Sequence, residues 1–230
     1  MTPHPAKFNE RLLDAIWDVL IAHNLQDNPG LTLLDPFAGT GRVCELRDRG
    51  FSGRFVLNEL ESEWAYQAHE TYHPALTIIG DARSIPNPAP AYDLVVTSPC
   101  YGNRMADCHT PSEEDTSKRN TYRHQLGRMP SEGSAAVLQW GPEYREFHLA
   151  AWVEAHRVMR PGGLMVVNMK DHYRGDERQY VTDWHAGVLE TIFGCTVSRT
   201  QVPCKGNRQG ANGTKRVPYE ELLVTRKASS

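Results

Sequence analysis

The sequence predicts an α/β fold: an open, mostly parallel sheet with helices on both faces, closed by an antiparallel pair of strands. Three observations lead there. Short apolar runs at 31–35, 54–59, 76–81 and 92–98 alternate with helical or loop segments, which is the rhythm of parallel strands joined by crossovers. The first run hands over to a helical stretch through a small-residue loop, DPFAGTG at 35–41. The last two β-like runs, CTVSRTQV at 195–202 and VPYEELLVT at 217–225, have no helix between them and should pair antiparallel.

Taken in order, Leu12, Leu13, Ile16, Trp17, Leu20 and Ile21 recur at helical spacing after Asn9, giving an amphipathic helix that ends near the Asn28-Pro29-Gly30 turn. The strand LTLLD leads through the glycine loop into a helical stretch over 42–49, closed by Gly50. RFVLNE (54–59) precedes a helix from 62 to about 72, LTIIGD (76–81) precedes a proline-rich loop, and YDLVVTS (92–98) runs into Pro99. Residues from 102 to about 141 break the rhythm, being polar and rich in Ser, Thr, Arg and Gly, and read as a functional loop rather than a domain. Helical order resumes from 143 through 159 and stops at Arg160-Pro161-Gly162-Gly163; the strand LMVVNM (164–169) and a helix over 181–193 follow.

With 230 residues and 40% hydrophobic content, one domain spanning 1–230 is expected, the irregular insert included. The mean hydropathy of −0.54 is that of a water-soluble chain. No stretch reaches the length of an apolar bilayer span, and the N-terminus lacks the basic-then-apolar order of a secretory signal, so a cytoplasmic protein is expected. The five cysteines are scattered and should stay reduced. Neither Cys100 with Cys108 and His109 nor Cys195 with Cys204 has the paired spacing of a zinc site, and no metal is expected.

A net charge of −3 announces no polyanionic partner. Local clusters differ. Segment 199–216 carries Arg199, Lys205, Arg208, Lys215 and Arg216 with no acid, and Lys118, Arg119, Arg123, His124 and Arg128 follow the acidic run at 113–115. Both are candidate phosphate contacts.

DPFAGTG sits at a strand-to-helix handover, where small residues let backbone N–H groups approach a ligand. Its spacing fits neither GxGxxG nor the Gly-Lys-Ser/Thr of a P-loop, which argues against a dinucleotide or nucleoside triphosphate. Glu59, at the end of the second strand, can accept both hydroxyls of a ribose. Asp81, at the end of the third, can accept a bond from an adenine amino group. Loop and acids together describe a pocket for an adenosine.

The fourth strand delivers TSPCYGNR at 97–104. This segment resembles the (Ser/Asn/Asp)-Pro-Pro-(Tyr/Phe) motif of the S-adenosylmethionine-dependent DNA amino-methyltransferases, which act on cytosine N4 or adenine N6. HPAKF (4–8) resembles the segment before that family's cofactor loop, and DPFAGTG its cofactor motif. NELESEW resembles its ribose-binding segment, RPGGLMVV the start of its fifth strand, and NRQGANGTKRVPYEELLV its terminal hairpin. The order of motifs matches the γ-type arrangement of prokaryotic and phage enzymes. The resemblance implies a Rossmann-like class I methyltransferase sheet of seven strands. It also implies an S-adenosylmethionine pocket using Phe8, Asp35, Phe37, Ala38, Gly39, Gly41, Glu59, Asp81 and Ala82, and a DNA substrate.

An exocyclic amino group is conjugated into its ring and is a poor nucleophile, so a catalyst must withdraw that conjugation and align the nitrogen with the methyl donor. By resemblance, Ser98 and the Pro99 carbonyl accept the two amino hydrogens, and Tyr101 stacks on a base flipped out of the duplex. Ser98 leans toward cytosine N4, with adenine N6 the alternative. Cys100 stands where the motif has its second proline. A Pro-Cys pair is what cytosine C5-methyltransferases use as nucleophile, but the Glu-Asn-Val segment of those enzymes is absent, the fifth strand reading Val166-Val167-Asn168-Met169. An RNA amino-methyltransferase and a binding protein that does not transfer methyl are the further alternatives. The insert, with Asn103, Arg104, Arg119, Arg123 and Arg128, and the hairpin loop, with Lys205, Arg208, Lys215 and Arg216, are expected near the strand C-termini and on DNA phosphates. Neither is large enough for a conventional recognition domain, so short or relaxed sequence specificity is expected.

Overall fold

The computed structural model describes residues 8–87, 89–102, 121–204 and 215–229. In chain order the elements begin α1 (Glu10–Ala22), β1 (Thr32–Asp35), a 3-10 helix (Arg42–Arg49), β2 (Arg54–Glu59), α2 (Ser62–Thr71), β3 (Leu76–Ile79) and β4 (Tyr92–Thr97). They continue with α3 (Tyr122–Leu126), a 3-10 turn (Ala135–Val137), α4 (Pro142–Val158), β5 (Met159–Met169), β6 (His172–Arg174), β7 (Glu177–Gln179), α5 (Val181–Phe193), β8 (Ser198–Pro203) and β9 (Tyr219–Arg226).

Seven strands form one sheet in the order β3-β2-β1-β4-β5-β9-β8. β1 to β5 run parallel, and β9 lies antiparallel to both β5 and β8. The order reverses between β1 and β4, and ligands of doubly wound sheets bind beyond the strand C-termini at such a switch point.

Consecutive apolar residues along each strand serve opposite faces, because side chains alternate along a strand. Leu33, Leu94, Val96, Leu164, Val166 and Leu222 pack into one core with Leu12, Leu13 and Ile16 of α1 and Val43 and Leu46 of the 3-10 helix. Leu34, Val95, Met165, Val167 and Leu223 pack into the other, under Tyr144, Trp152 and Ala155 of α4 and Leu189 of α5. Two-sided burial explains why the strands read as unbroken apolar runs. Asn9 caps α1, its side chain accepting the Leu12 N–H at 2.9 Å.

Several boundaries differ from the sequence reading. β5 starts at Met159, and the Arg160-Pro161-Gly162-Gly163 segment is an irregularity inside the strand: Tyr92 of β4 is level with Met159, and Leu94 with Leu164. Residues 172–179 form a small antiparallel hairpin, β6 with β7, turning at Gly175 with a φ of 60°. Its strands are three residues each, too short for their period to register in sequence. Among the described residues no helix is long and apolar enough to cross a membrane.

Candidate active site

The site is assembled from the C-terminal ends of β1 to β5. At the end of β1, Asp35 is fully buried; its Oδ1 accepts the Thr97 hydroxyl at 2.7 Å and the Phe37 N–H at 3.1 Å. Its Oδ2 has no hydrogen-bond partner among the described residues. Burial pushes the carboxyl up to about 7, the bonds from Thr97 and Phe37 pulling against it. The loop that follows is tied to β2. The Gly39 N–H donates to Glu59 Oε2 at 2.7 Å, and Glu59 Oε1 accepts the Glu61 N–H at 2.9 Å. Burial raises Glu59 to about 7 as well, against those two N–H bonds.

Gly41 has a φ of 81°, and a Cβ there would lie 2.9 Å from Leu57 Cδ1 and 3.1 Å from the Ala68 methyl. The turn therefore presses onto β2 and α2 in a way only glycine permits. Asn58 bridges the neighbouring loops, its amide donating to the Pro36 carbonyl at 3.2 Å and the Gly80 carbonyl at 3.0 Å. Beyond β3, Arg83 grips Asp81, Nη2 to Oδ2 at 2.6 Å and Nε to both oxygens at 3.0 Å. Burial alone would raise the Asp81 carboxyl, but the Arg83 side-chain and backbone bonds outweigh it and hold it below the ordinary aspartate range. The Arg83 guanidinium lies 4.7 Å over the Phe147 ring.

These corners open onto one cleft. Phe37, Glu59, Asp81 and Ala82 line it together with Ser98 and Cys100. Phe8 and Ala38 lie in the core behind it, and Gly39 and Gly41 are buried in the loop. The outer wall comes from the insert, through Tyr122, Gly133, Ser134, Ala135 and Ala136. That wall is fastened to the start of α2. Arg128 Nη2 pairs with Glu61 at 2.8 Å and Glu63 at 2.6 Å, while Ser131 donates to Glu61 from its N–H at 2.8 Å and its hydroxyl at 2.9 Å. The Arg128 bonds hold Glu63 down to about 2. Tyr122 meets Trp64 edge to face, ring centroids 5.5 Å apart.

The Ser98-Pro99-Cys100-Tyr101 corner is held from below and from the side. Ser98 Oγ lies 2.8 Å from the Tyr101 phenol, and the Asn168 amide of β5 donates to Ser98 Oγ at 3.1 Å and to the Tyr101 oxygen at 2.6 Å. The Tyr144 hydroxyl donates to the Cys100 carbonyl at 2.7 Å. Trp152 donates to His185 Nδ1 at 2.9 Å, so the neutral ring carries its proton on Nε2, 3.0 Å from the Tyr144 oxygen. Burial holds His185 well below its ordinary range and lowers His148 to about 4. Pro99 is buried, and Cys100 Sγ approaches the Tyr122 hydroxyl at 3.5 Å. Gly102 closes the corner with a φ of 68°, where a Cβ would lie 2.9 Å from the Trp140 nitrogen.

Of the basic residues expected on phosphate, Arg128 is engaged with Glu61 and Glu63, and Lys215 pairs with Asp176. Arg123 lies in α3, and Arg216 is exposed at the approach to β9. Arg104, Arg119, Lys205 and Arg208 lie outside the described residues. The sequence reading gave no role to Glu61, Ser131, Tyr144, Asn168 and His185. Glu61 lies within the NELESEW segment, and Asn168 left a trace as a polar residue after the apolar run of β5. Among the described residues no cluster of three or more His, Cys, Asp or Glu side chains could hold a metal.

No protein-family model matches the chain, and no curated sequence shows significant similarity to it. Solved structures do resemble it. The fold is that of the Rossmann-like class I methyltransferases. A Galdieria sulphuraria protein assigned as a sarcosine dimethylglycine methyltransferase superposes with a TM-score of 0.61 at 12% identity, over 98% of this chain and 93% of the other. The Burkholderia thailandensis 1,6-didemethyltoxoflavin-N1-methyltransferase, solved with S-adenosylhomocysteine, gives 0.55 at 14%, over 94% and 78%. The [4+2]-cyclase SpnF gives 0.59 at 15%, over 99% and 86%. A cyclase in this set means that the architecture by itself assigns no reaction.

Proposed function

We propose that the protein transfers a methyl group from S-adenosylmethionine to the exocyclic amino group of a DNA base, cytosine N4 before adenine N6. The observation that carries this reading is the shared cleft: Glu59 and Asp81 line it together with Ser98 and Cys100 of the fourth-strand corner.

The residues fit an adenosine-bearing cofactor. Asp35 Oδ2 is a buried acceptor with no partner among the described residues. Each Glu59 oxygen has accepted one backbone N–H and keeps a further lone pair for a ribose hydroxyl. Asp81 serves the adenine edge under the grip of Arg83, with Phe37, Ala82 and Phe147 as apolar walls. When bound, the cofactor supplies an activated methyl group.

At the other end, Ser98 Oγ and the Pro99 carbonyl accept the two N–H groups of the target amine. This localises the nitrogen lone pair and points it into the cleft. Tyr101 stacks on the extruded base. Cys100 also lines the cleft, and this favours cytosine C5 methylation as the second reading.

Mass spectrometry of nucleosides after incubating the protein with S-adenosylmethionine and mixed-sequence duplex DNA tests both. N4-methylcytosine or N6-methyladenine supports the proposal and 5-methylcytosine the second reading. Methyl transfer to RNA alone, or to no nucleic acid, overturns both.

A further inference from the structure

Asn168 occupies an unusual position. It is 1% exposed at the penultimate position of β5, after an apolar run, yet its amide nitrogen faces Ser98 Oγ, the Tyr101 hydroxyl and Glu220 Oε2 at 3.1, 2.6 and 3.0 Å. A buried amide costs stability where its bonds are not made, and Asn168 Oδ1 has no partner among the described residues, so β5 keeps this amide where an apolar residue would be cheaper. Glu220, the second residue of β9, is itself flanked by Lys170, whose ammonium lies 4.0 Å from Oε1. The end of β5 and the terminal hairpin thus converge on the fourth-strand corner from the side opposite the cofactor acids.

Resting on the amino-transfer reading, we infer that Asn168, braced by Glu220, is a positioning residue for methyl transfer that orients the Ser98 and Tyr101 hydroxyls. An amide NH₂ can only donate and has two hydrogens: one goes to Glu220 Oε2 and the other is shared between the Ser98 and Tyr101 oxygens, which lie 2.8 Å apart, so it takes up a lone pair on each. This fixes which lone pair of Ser98 remains to receive the target N–H. Without that bond Ser98 can rotate and present its own hydrogen to the amine, a donor meeting a donor. The Glu220 carboxylate orients the amide in turn, so β9 takes part in setting the geometry of the reaction centre.

The test is a kinetic cycle on Asn168 and Tyr101, using label transfer from S-adenosylmethionine to mixed-sequence DNA, with total tRNA as a parallel acceptor. Asn168→Leu keeps the branched shape but has no donor. It should lower kcat about tenfold or more, the effect of one oriented hydrogen bond in the transition state. The acceptor KM and the cofactor dissociation constant should hold within about twofold. Tyr101→Phe keeps the stacking ring and remains measurable. If Asn168 acts through these hydroxyls, the double variant loses less than the product of the single losses. Glu220→Gln retains an acceptor for the amide and should keep most of the rate that Glu220→Ala loses.

Multiplicative losses in the cycle, a KM effect with kcat intact, or equal losses for both Glu220 variants would overturn the inference. Transfer to tRNA but not to DNA would remove the DNA reading alone, and the cycle would then be read on tRNA. A wild-type protein that labels neither acceptor removes both.

Discussion

Glu59 accepts the Gly39 N–H at 2.7 Å, so the acid that ends β2 and the loop that follows β1 behave as one unit. Replacing Glu59 by glutamine keeps the shape but presents a neutral amide to the Gly39 and Glu61 N–H groups and to a ribose. Above pH 7, where the Glu59 carboxyl is ionised, the cofactor dissociation constant should rise about tenfold or more, since a bond to a charged acceptor is worth about 1.5–3 kcal/mol. Calorimetric titration with S-adenosylmethionine measures it, and an unchanged constant would remove Glu59 from the cofactor site.

Asp35 gives a pH signature. Its folded pKa, pushed by burial to about 7, lies above the ordinary value of 3.8. Across that interval the folded state holds a proton that the unfolded state has released, so the contribution of Asp35 to stability is lost as pH rises toward 7. His148, lowered to about 4, works the other way over part of the same range. The informative quantity is therefore a difference: Asp35→Asn should gain on the wild type between about pH 4.5 and 7. Parallel curves of urea midpoint against pH would contradict the assignment.

Arg128 holds the insert against the start of α2 through Glu61 and Glu63. Arg128→Ala should loosen the outer wall of the cleft and speed cofactor release several-fold, leaving the fold intact. A chase experiment with unlabelled S-adenosylmethionine reads the rate. An identical release rate would mean that the wall gives no retention.

Tyr144→Phe deletes the hydroxyl between the Cys100 carbonyl and His185. Losing both bonds, one of them to the fully buried His185, should cost about 1–3 kcal/mol of unfolding free energy. It should also slow transfer while cofactor affinity holds, because the Cys100 carbonyl belongs to the corner proposed to hold the target amine. A stability loss with full kcat would make the network purely structural.

Cys100→Ser separates the two chemistries. Amino transfer needs no thiolate and should keep most of its rate; C5 transfer needs the sulfur as nucleophile and should vanish. Nucleoside mass spectrometry on the variant reads the answer directly.

Much of the sheet was legible before any coordinates. β2 and α5 fall where the apolar runs and helical period put them, and β1, β4 and β9 differ from expectation by a residue or two, because two-sided burial leaves a strong local signal. The 3-10 geometry of 42–49, the early start of β5 and the β6–β7 hairpin were not legible. Each depends on a partner strand or a local turn rather than on side-chain period. Around the cleft, the positions of Asp35 and Glu59 at the ends of β1 and β2, and of Asp81 and Ser98 within two residues after β3 and β4, were legible because strand ends are visible in sequence.

The sequence by itself determined the alternation of strands and helices, the glycine loop and the acids at the strand termini, since these follow from periodicity and local backbone geometry. Tertiary structure alone decided that Arg128 is paired with Glu61 across 67 residues, that Asn168 meets Ser98 across 70, and that Tyr144 reaches the Cys100 carbonyl across 44. Side-chain partners so far apart in the chain are chosen by the sheet order and the packing of α4 and the insert against it, and no short window of sequence encodes either.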